Sequence, residues 1–140
     1  MATCEQQYSP LALRQVLVVD DEAVIREGMR RILESDGYCV ETSASGKTAL
    51  EKMQERDFDV VITDLKMPGM DGIEVLKAIK ILQPDVPVLM ITGYATVDTA
   101  VEAMKYGAFD YIAKPFTLEQ ISEKVRKAML SRPQSSKTSP

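Results

Sequence analysis

The chain has 140 residues and a formal net charge of −4, with 45% apolar and 27% charged residues. That length and mix indicate one soluble globular unit and exclude a membrane-embedded or intrinsically unfolded chain. Histidine is absent, which excludes a Ser-His-Asp triad, a Cys-His pair and an HExxH zinc site, and the mild acidity argues against non-specific nucleic-acid binding.

Residues 1–13 hold no clear period and are expected to be a flexible segment. They also lack a basic start followed by an apolar run, so no secretory signal is expected and the cytoplasm is the default compartment. A first strand is predicted at Gln15–Asp20, followed by a helix whose face carries Ile25, Met29, Ile32 and Leu33. A second strand is predicted at Tyr38–Thr42, then a helix with Ala49, Leu50 and Met53 on one face. The third pair is Phe58–Thr63 and a helix showing Ile73, Leu76 and Ile79. The fourth is Val86–Thr92 and a helix showing Ala100, Val101 and Met104. The fifth is Phe109–Ala113 and a helix showing Ile121, Val125, Ala128 and Met129. Residues 131–140 carry Ser, Pro and Lys with no large apolar group and are expected to be a disordered tail or a linker stub. No apolar stretch approaches the length of a membrane span.

Punctuation agrees with these elements. Ser45, Asp71 and Thr117 are candidate N-caps, with Glu74 and Gln120 three residues after the last two. Gly37 and Gly107 follow helices, where a left-handed residue commonly ends them. Strands alternating with helices imply a parallel sheet covered on both faces. The expected fold is α/β and flavodoxin-like: five parallel strands in the order 2-1-3-4-5 with helices on both faces. Cys4 and Cys39 form no CxxC or CxxH pattern, and Cys39 reads as a small buried thiol.

In open α/β sheets, ligands bind at the carboxyl ends of the strands. The first strand ends in Asp20-Asp21, the third in Asp64, the fourth in Thr92 and the fifth in Lys114-Pro115. The expected order brings Asp20, Asp21 and Asp64 together, with Thr92 and Lys114 beyond Asp64. Three converging carboxylates repel one another unless a cation compensates, and oxygen-only ligation suits Mg²⁺. A lysine supplies a point charge suited to phosphate, and a carboxylate can act as the nucleophile. These are the parts of a phosphoryl-transfer site. Taken singly, each has a plain structural reading: a solvated Asp-Asp pair, a turn aspartate, a strand-end hydroxyl, an exposed loop lysine. Their coincidence at the strand ends is what selects the site reading.

The motifs Val18-Val19-Asp20-Asp21-Glu22, Asp64-Leu65-Lys66-Met67-Pro68-Gly69-Met70-Asp71-Gly72, Ile91-Thr92-Gly93 and Tyr111-Ile112-Ala113-Lys114-Pro115-Phe116 resemble the receiver domain of two-component response regulators. The resemblance covers residues 14–130. Ile91–Phe116 also resembles the receivers of nitrogen-regulation-type transcription activators. The resemblance implies that Asp64 is the phosphoacceptor, and that Mg²⁺ (or Mn²⁺) is bound by Asp64 itself, directly by Asp21, largely through water by Asp20, and by the Lys66 carbonyl. It implies that Lys114 pairs with the phosphoryl oxygens across a cis Lys114-Pro115 bond, that Thr92 bonds the phosphoryl group, and that Gly93 leaves access to Asp64. Tyr111 would rotate inward as Thr92 is drawn to the phosphoryl group. The face of the fourth helix, fifth strand and fifth helix would be the output surface. Lys66 and Tyr94, two residues beyond Asp64 and Thr92, would flank the entrance and slow hydrolysis of the acyl phosphate.

The implied partners are a sensor histidine kinase or histidine phosphotransfer protein, a downstream effector or a separate output domain, and a second copy after phosphorylation, with no direct contact to nucleic acid or membrane. With no histidine of its own, the chain must take its phosphoryl group from another protein or a small molecule. One alternative is a pseudo-receiver that binds partners without phosphorylation. A haloacid-dehalogenase-like phosphatase would want an acid two places after its nucleophile, where Lys66 stands. A flavin or nucleotide module would want a Gly- or Ser/Thr-rich loop after the first strand, where Asp20, Asp21 and Glu22 stand.

Overall fold

The computed structural model describes residues 14–67, 69–93 and 97–131. Strand β1 covers Gln15–Val19 and leads into helix α1, Ala23–Ser35; β2, Cys39–Ser43, leads into α2, Gly46–Glu55. Then come β3, Val60–Asp64, with α3, Gly72–Leu82, and β4, Val88–Thr92, with α4, Val97–Lys105. The last pair is β5, Asp110–Ala113, and α5, Leu118–Ser131. The five strands are all parallel and ordered β2-β1-β3-β4-β5, the expected 2-1-3-4-5. A small hairpin of Lys66–Met67 against Met70–Asp71, too short to be seen as a pattern in the sequence, interrupts the β3–α3 connection.

The inner strands β1, β3 and β4 are almost wholly buried runs because both faces of the sheet are covered there, whereas the edge strands β2 (CVETS) and β5 (DYIA) are only partly buried. Successive side chains alternate between faces. Val16, Val18, Val60, Ile62, Leu89, Ile91 and Ile112 pack with Met29 and Leu33 of α1 and with Ile121, Val125 and Ala128 of α5. Leu17, Val19, Val61, Val88 and Met90 pack on the other side with Ala49 and Met53 of α2, Leu76 and Ile79 of α3, and Ala103 of α4.

The caps follow the sequence. Ser45 accepts from the Thr48 N–H, and Thr117 and Gln120 form a reciprocal box at 3.1 and 2.8 Å. Asp71 caps α3 by accepting from the Ile73 N–H at 2.8 Å. Gly37 and Gly107 have φ of 99° and 100°, as expected at helix ends. Gly72 is demanded by a different constraint. A Cβ there would meet the Leu65 carbonyl oxygen at 2.3 Å, where the chain after Asp64 folds back against the start of α3.

Three expectations need correction. On α4 the helical spacing of Ala100, Val101 and Met104 suggested an inward stripe, but Val101 is 60% and Met104 48% exposed, and the buried residue is Ala103. Cys39 is buried as expected, yet it is disulfide-bonded and not a plain thiol. Ser131, assigned to the tail, is the last residue of α5. The segments 1–13 and 132–140 and the residue Tyr94 lie outside the described residues. Among the described residues, no helix is long and apolar enough to cross a membrane.

Candidate functional site

Register builds the site. Val19 lies opposite both Ser43 and Thr63, so Asp20 and Asp64, each one residue further on, emerge side by side. Asp64 lies opposite Ile91 and Thr92 opposite Ala113, which brings the fourth and fifth strand ends alongside. The Lys114 N–H donates to the Thr92 carbonyl at 2.8 Å and the Leu65 N–H to the Ile91 carbonyl at 2.9 Å. Asp20, Asp64 and Lys114 share alternation parity with Val18, Ile62 and Ile112, which face the α1/α5 layer. Thr92 shares parity with Met90, which faces α3 and α4, and Tyr111 packs on that side. The acid cluster with Lys114 and the α4 side thus meet at one strand edge from opposite faces.

The carboxylate oxygens of Asp20, Asp21 and Asp64 lie within 4.8 Å of one another. Asp20 and Asp64 are buried and Asp21 is exposed, so the cluster opens on one side. Local backbone donors hold the two buried groups. Asp20 Oδ1 accepts from the Glu22 N–H, and Asp64 Oδ1 from the Lys66 N–H, both at 2.9 Å. The Lys114 ammonium donates to Asp64 Oδ2 at 2.9 Å, to Glu22 Oε1 at 3.0 Å and to Asp20 Oδ2 at 3.4 Å. The Lys114-Pro115 peptide is cis, as expected.

Burial pushes the Asp20 carboxyl above the ordinary carboxylate range and the Asp64 charge adds to it, while the Glu22 N–H and Lys114 pull it down. Burial works to lower the Lys114 ammonium as well. Hydrogen bonds to Asp64 and Glu22 and the charges of Asp20 and Asp64 outweigh that, holding it above the ordinary lysine value. One cation is thus set against a crowded anionic cluster. A set of hard oxygen donors, open on the Asp21 side, fits a small divalent cation.

Thr92 is fully buried at the end of β4. A Cβ added at Gly93 would meet no described atom within 4 Å. Lys66 is exposed beside Asp64, at the start of the hairpin. The Tyr111 hydroxyl is 2.9 Å from the Thr99 hydroxyl of α4, which ties the strand-end tyrosine to that helix.

Three contributors escaped the sequence reading. Glu22 is a direct partner of Lys114, Arg26 donates from Nη1 to the Asp20 carbonyl at 2.7 Å, and Thr99 holds Tyr111. Only Glu22 left a signal, as the third acid of an unbroken run. Beside the site, Val24, Ile25, Phe116 and Leu118 line a groove of about 570 Å³ together with Glu22 and Lys114.

Comparison with known proteins agrees with this geometry. The response regulator receiver domain matches residues 16–126, and the chain belongs to that family. It is 45% identical over 114 residues to the transcriptional regulatory protein ZraR of Escherichia coli O157:H7, covering 81% of this chain and 26% of that protein. It is 39% identical over 118 residues to the regulatory protein AtoC of Escherichia coli (strain K12), covering 84% of this chain and 26% of that one. The chain therefore spans about a quarter of the length of these relatives. Among solved structures it resembles a CheY-like receiver domain protein from Methanospirillum hungatei JF-1, with TM-score 0.81, 34% identity, and coverage of 84% of this chain and 94% of that one. It also resembles the beryllofluoride-activated NtrC4 receiver domain dimer, with TM-score 0.79, 40% identity, and coverage of 83% and 96%.

Proposed function

We propose that this receiver accepts a phosphoryl group on Asp64 and passes the change to the face formed by α4, β5 and α5. The observation that carries the reading is the buried Asp64 carboxylate, clustered with those of Asp20 and Asp21 and paired with Lys114 at 2.9 Å. Asp64 would attack phosphorus as an oxygen nucleophile. The new O–P bond forms as the donor's P–N bond (phosphohistidine) or P–O bond (acetyl phosphate) breaks, and the leaving group takes that electron pair. The product is an acyl phosphate. Lys114 would neutralise the phosphoryl oxygens, and the Thr92 hydroxyl would donate to them.

Mg²⁺, or Mn²⁺ in its place, would be held by Asp21, by Asp64, by the Lys66 carbonyl and by Asp20 largely through water, and would supply charge neutralisation between carboxylates and phosphoryl group. Gly93 would leave access to Asp64, and Lys66 would flank the entrance and slow hydrolysis of the acyl phosphate; the same role expected of Tyr94 falls outside the described residues. The receiver unit would be residues 14–130, acting in the cytoplasm through a downstream effector or an output domain of its own, as the transcription regulators it is similar to suggest. The donor would be a sensor histidine kinase or a histidine phosphotransfer protein. Two copies would pair after phosphorylation, a reading supported by the NtrC4 receiver, which is a dimer in its beryllofluoride-activated form.

Intact-mass measurement with acetyl phosphate and Mg²⁺ tests the reading. The wild type should gain one phosphoryl group, and Asp64→Asn or removal of Mg²⁺ should prevent it. No gain on the wild type would favour a phosphorylation-independent interaction domain. A gain that survives Asp64→Asn would move the acceptor elsewhere.

A further inference from the structure

We propose that Glu22 is a positioning residue that holds the Lys114 ammonium and competes with an incoming phosphoryl group for it. The inference rests on Asp64 being the phosphoacceptor. An ammonium has three N–H donors, and three carboxylates share those of Lys114: Asp64 at 2.9 Å, Glu22 at 3.0 Å and Asp20 at 3.4 Å. A phosphoryl group entering beside Asp64 must take one of them over.

The three partners are not equally easy to displace. The side chains of Asp20 and Asp64 are 1% and 6% exposed, so either would be left as a buried carboxylate short of a donor. The Glu22 side chain is 61% exposed, and water can replace the lysine there. Its backbone stays fixed, with the N–H on Asp20 Oδ1 at 2.9 Å and the carbonyl accepting from the Arg26 N–H at 3.1 Å. Only the carboxylate arm has to move. Until then it faces the approach as an extra negative charge, which opposes an anionic donor. Once it lets go, Lys114 is still held inward by the two buried aspartates. Glu22 therefore restrains phosphorylation more than it assists it.

The test uses the full chain with Mg²⁺ and acetyl phosphate, measuring initial phosphorylation rate against donor concentration. Glu22→Gln keeps the length and removes the charge. It should lower the donor concentration for half-maximal rate about three-fold, the size expected of a solvent-exposed ion pair, with the maximal rate unchanged. Glu22→Asp keeps the charge but is too short for the 3.0 Å contact, and should shift in the same direction. An unchanged or raised half-maximal concentration in Glu22→Gln would overturn the proposal. So would a Glu22→Asp variant identical to wild type, which would assign the effect to charge alone. A wild type that takes no phosphoryl group would defeat the phosphoacceptor reading itself, whereas a labelled wild type with an unmoved Glu22→Gln defeats only this inference.

Discussion

Helices α3 and α4 lie on the same face of the sheet and are seated in opposite ways. α3 buries Ile73, Val75, Leu76 and Ile79. Among the described residues of α4, only Ala103 is buried, while Val101 and Met104 face outward. A fully buried Val, Leu or Ile contributes about 1.5–3 kcal/mol, so α3 is anchored several times more firmly than α4. The hydroxyl contact between Thr99 and Tyr111 is a further tie, and it is polar and adjustable. Both helices follow strands that end in site residues, Asp64 before α3 and Thr92 before α4. The firmly packed one holds the loop after Asp64 in place. The loosely packed one can be displaced at small cost, as the proposed population shift from Asp64 would require.

The largest test of this contrast is truncation. Leu76→Ala or Ile79→Ala, both at fully buried positions, should cost about 2–5 kcal/mol in urea unfolding, while Val101→Ala and Met104→Ala should stay within about 0.5 kcal/mol. An α4 variant as costly as an α3 variant would erase the contrast. Mg²⁺ comes next. At about 100 times its dissociation constant it should stabilise the wild type by about 2.7 kcal/mol, and a chelator should reverse this. Asp21→Ala should lose most of the effect, and a full Mg²⁺ response in that variant would remove Asp21 from the metal site.

Gly72→Ala brings a Cβ to 2.3 Å from the Leu65 oxygen and should cost about 1–3 kcal/mol as an overpacked contact. Because it moves the loop after Asp64, it should also slow phosphorylation, whereas truncations on α4 should not. The smallest expected effect is on the α4 tie. Tyr111→Phe or Thr99→Val should cost about 0.5–1.5 kcal/mol, read in urea, and should speed amide exchange on α4 while leaving α3 unmoved.

The acid cluster was legible because strand alternation and end position are local. Asp20, Asp64 and Lys114 each close an apolar run with the same parity, so order and register suffice to bring them together. Glu22 was harder to place because its partner Lys114 is 92 residues away and the contact is made by a flexible exposed side chain. The α4 face defeats the spacing rule for a physical reason. Ala100, Val101 and Met104 satisfy helical periodicity, but the helix turns its small residue, Ala103, to the sheet and leaves the larger ones to solvent. Periodicity detects an apolar stripe and not what covers it.

The most direct measurement is amide hydrogen exchange on the full chain with Mg²⁺, before and after acetyl phosphate, with Asp64→Asn alongside. The expected result is a change in exchange over α4 and β5, with α3 unchanged, and no change at all in Asp64→Asn. A wild type that carries the phosphoryl group by mass and shows unaltered exchange on α4, or the same alteration in Asp64→Asn, would contradict the account.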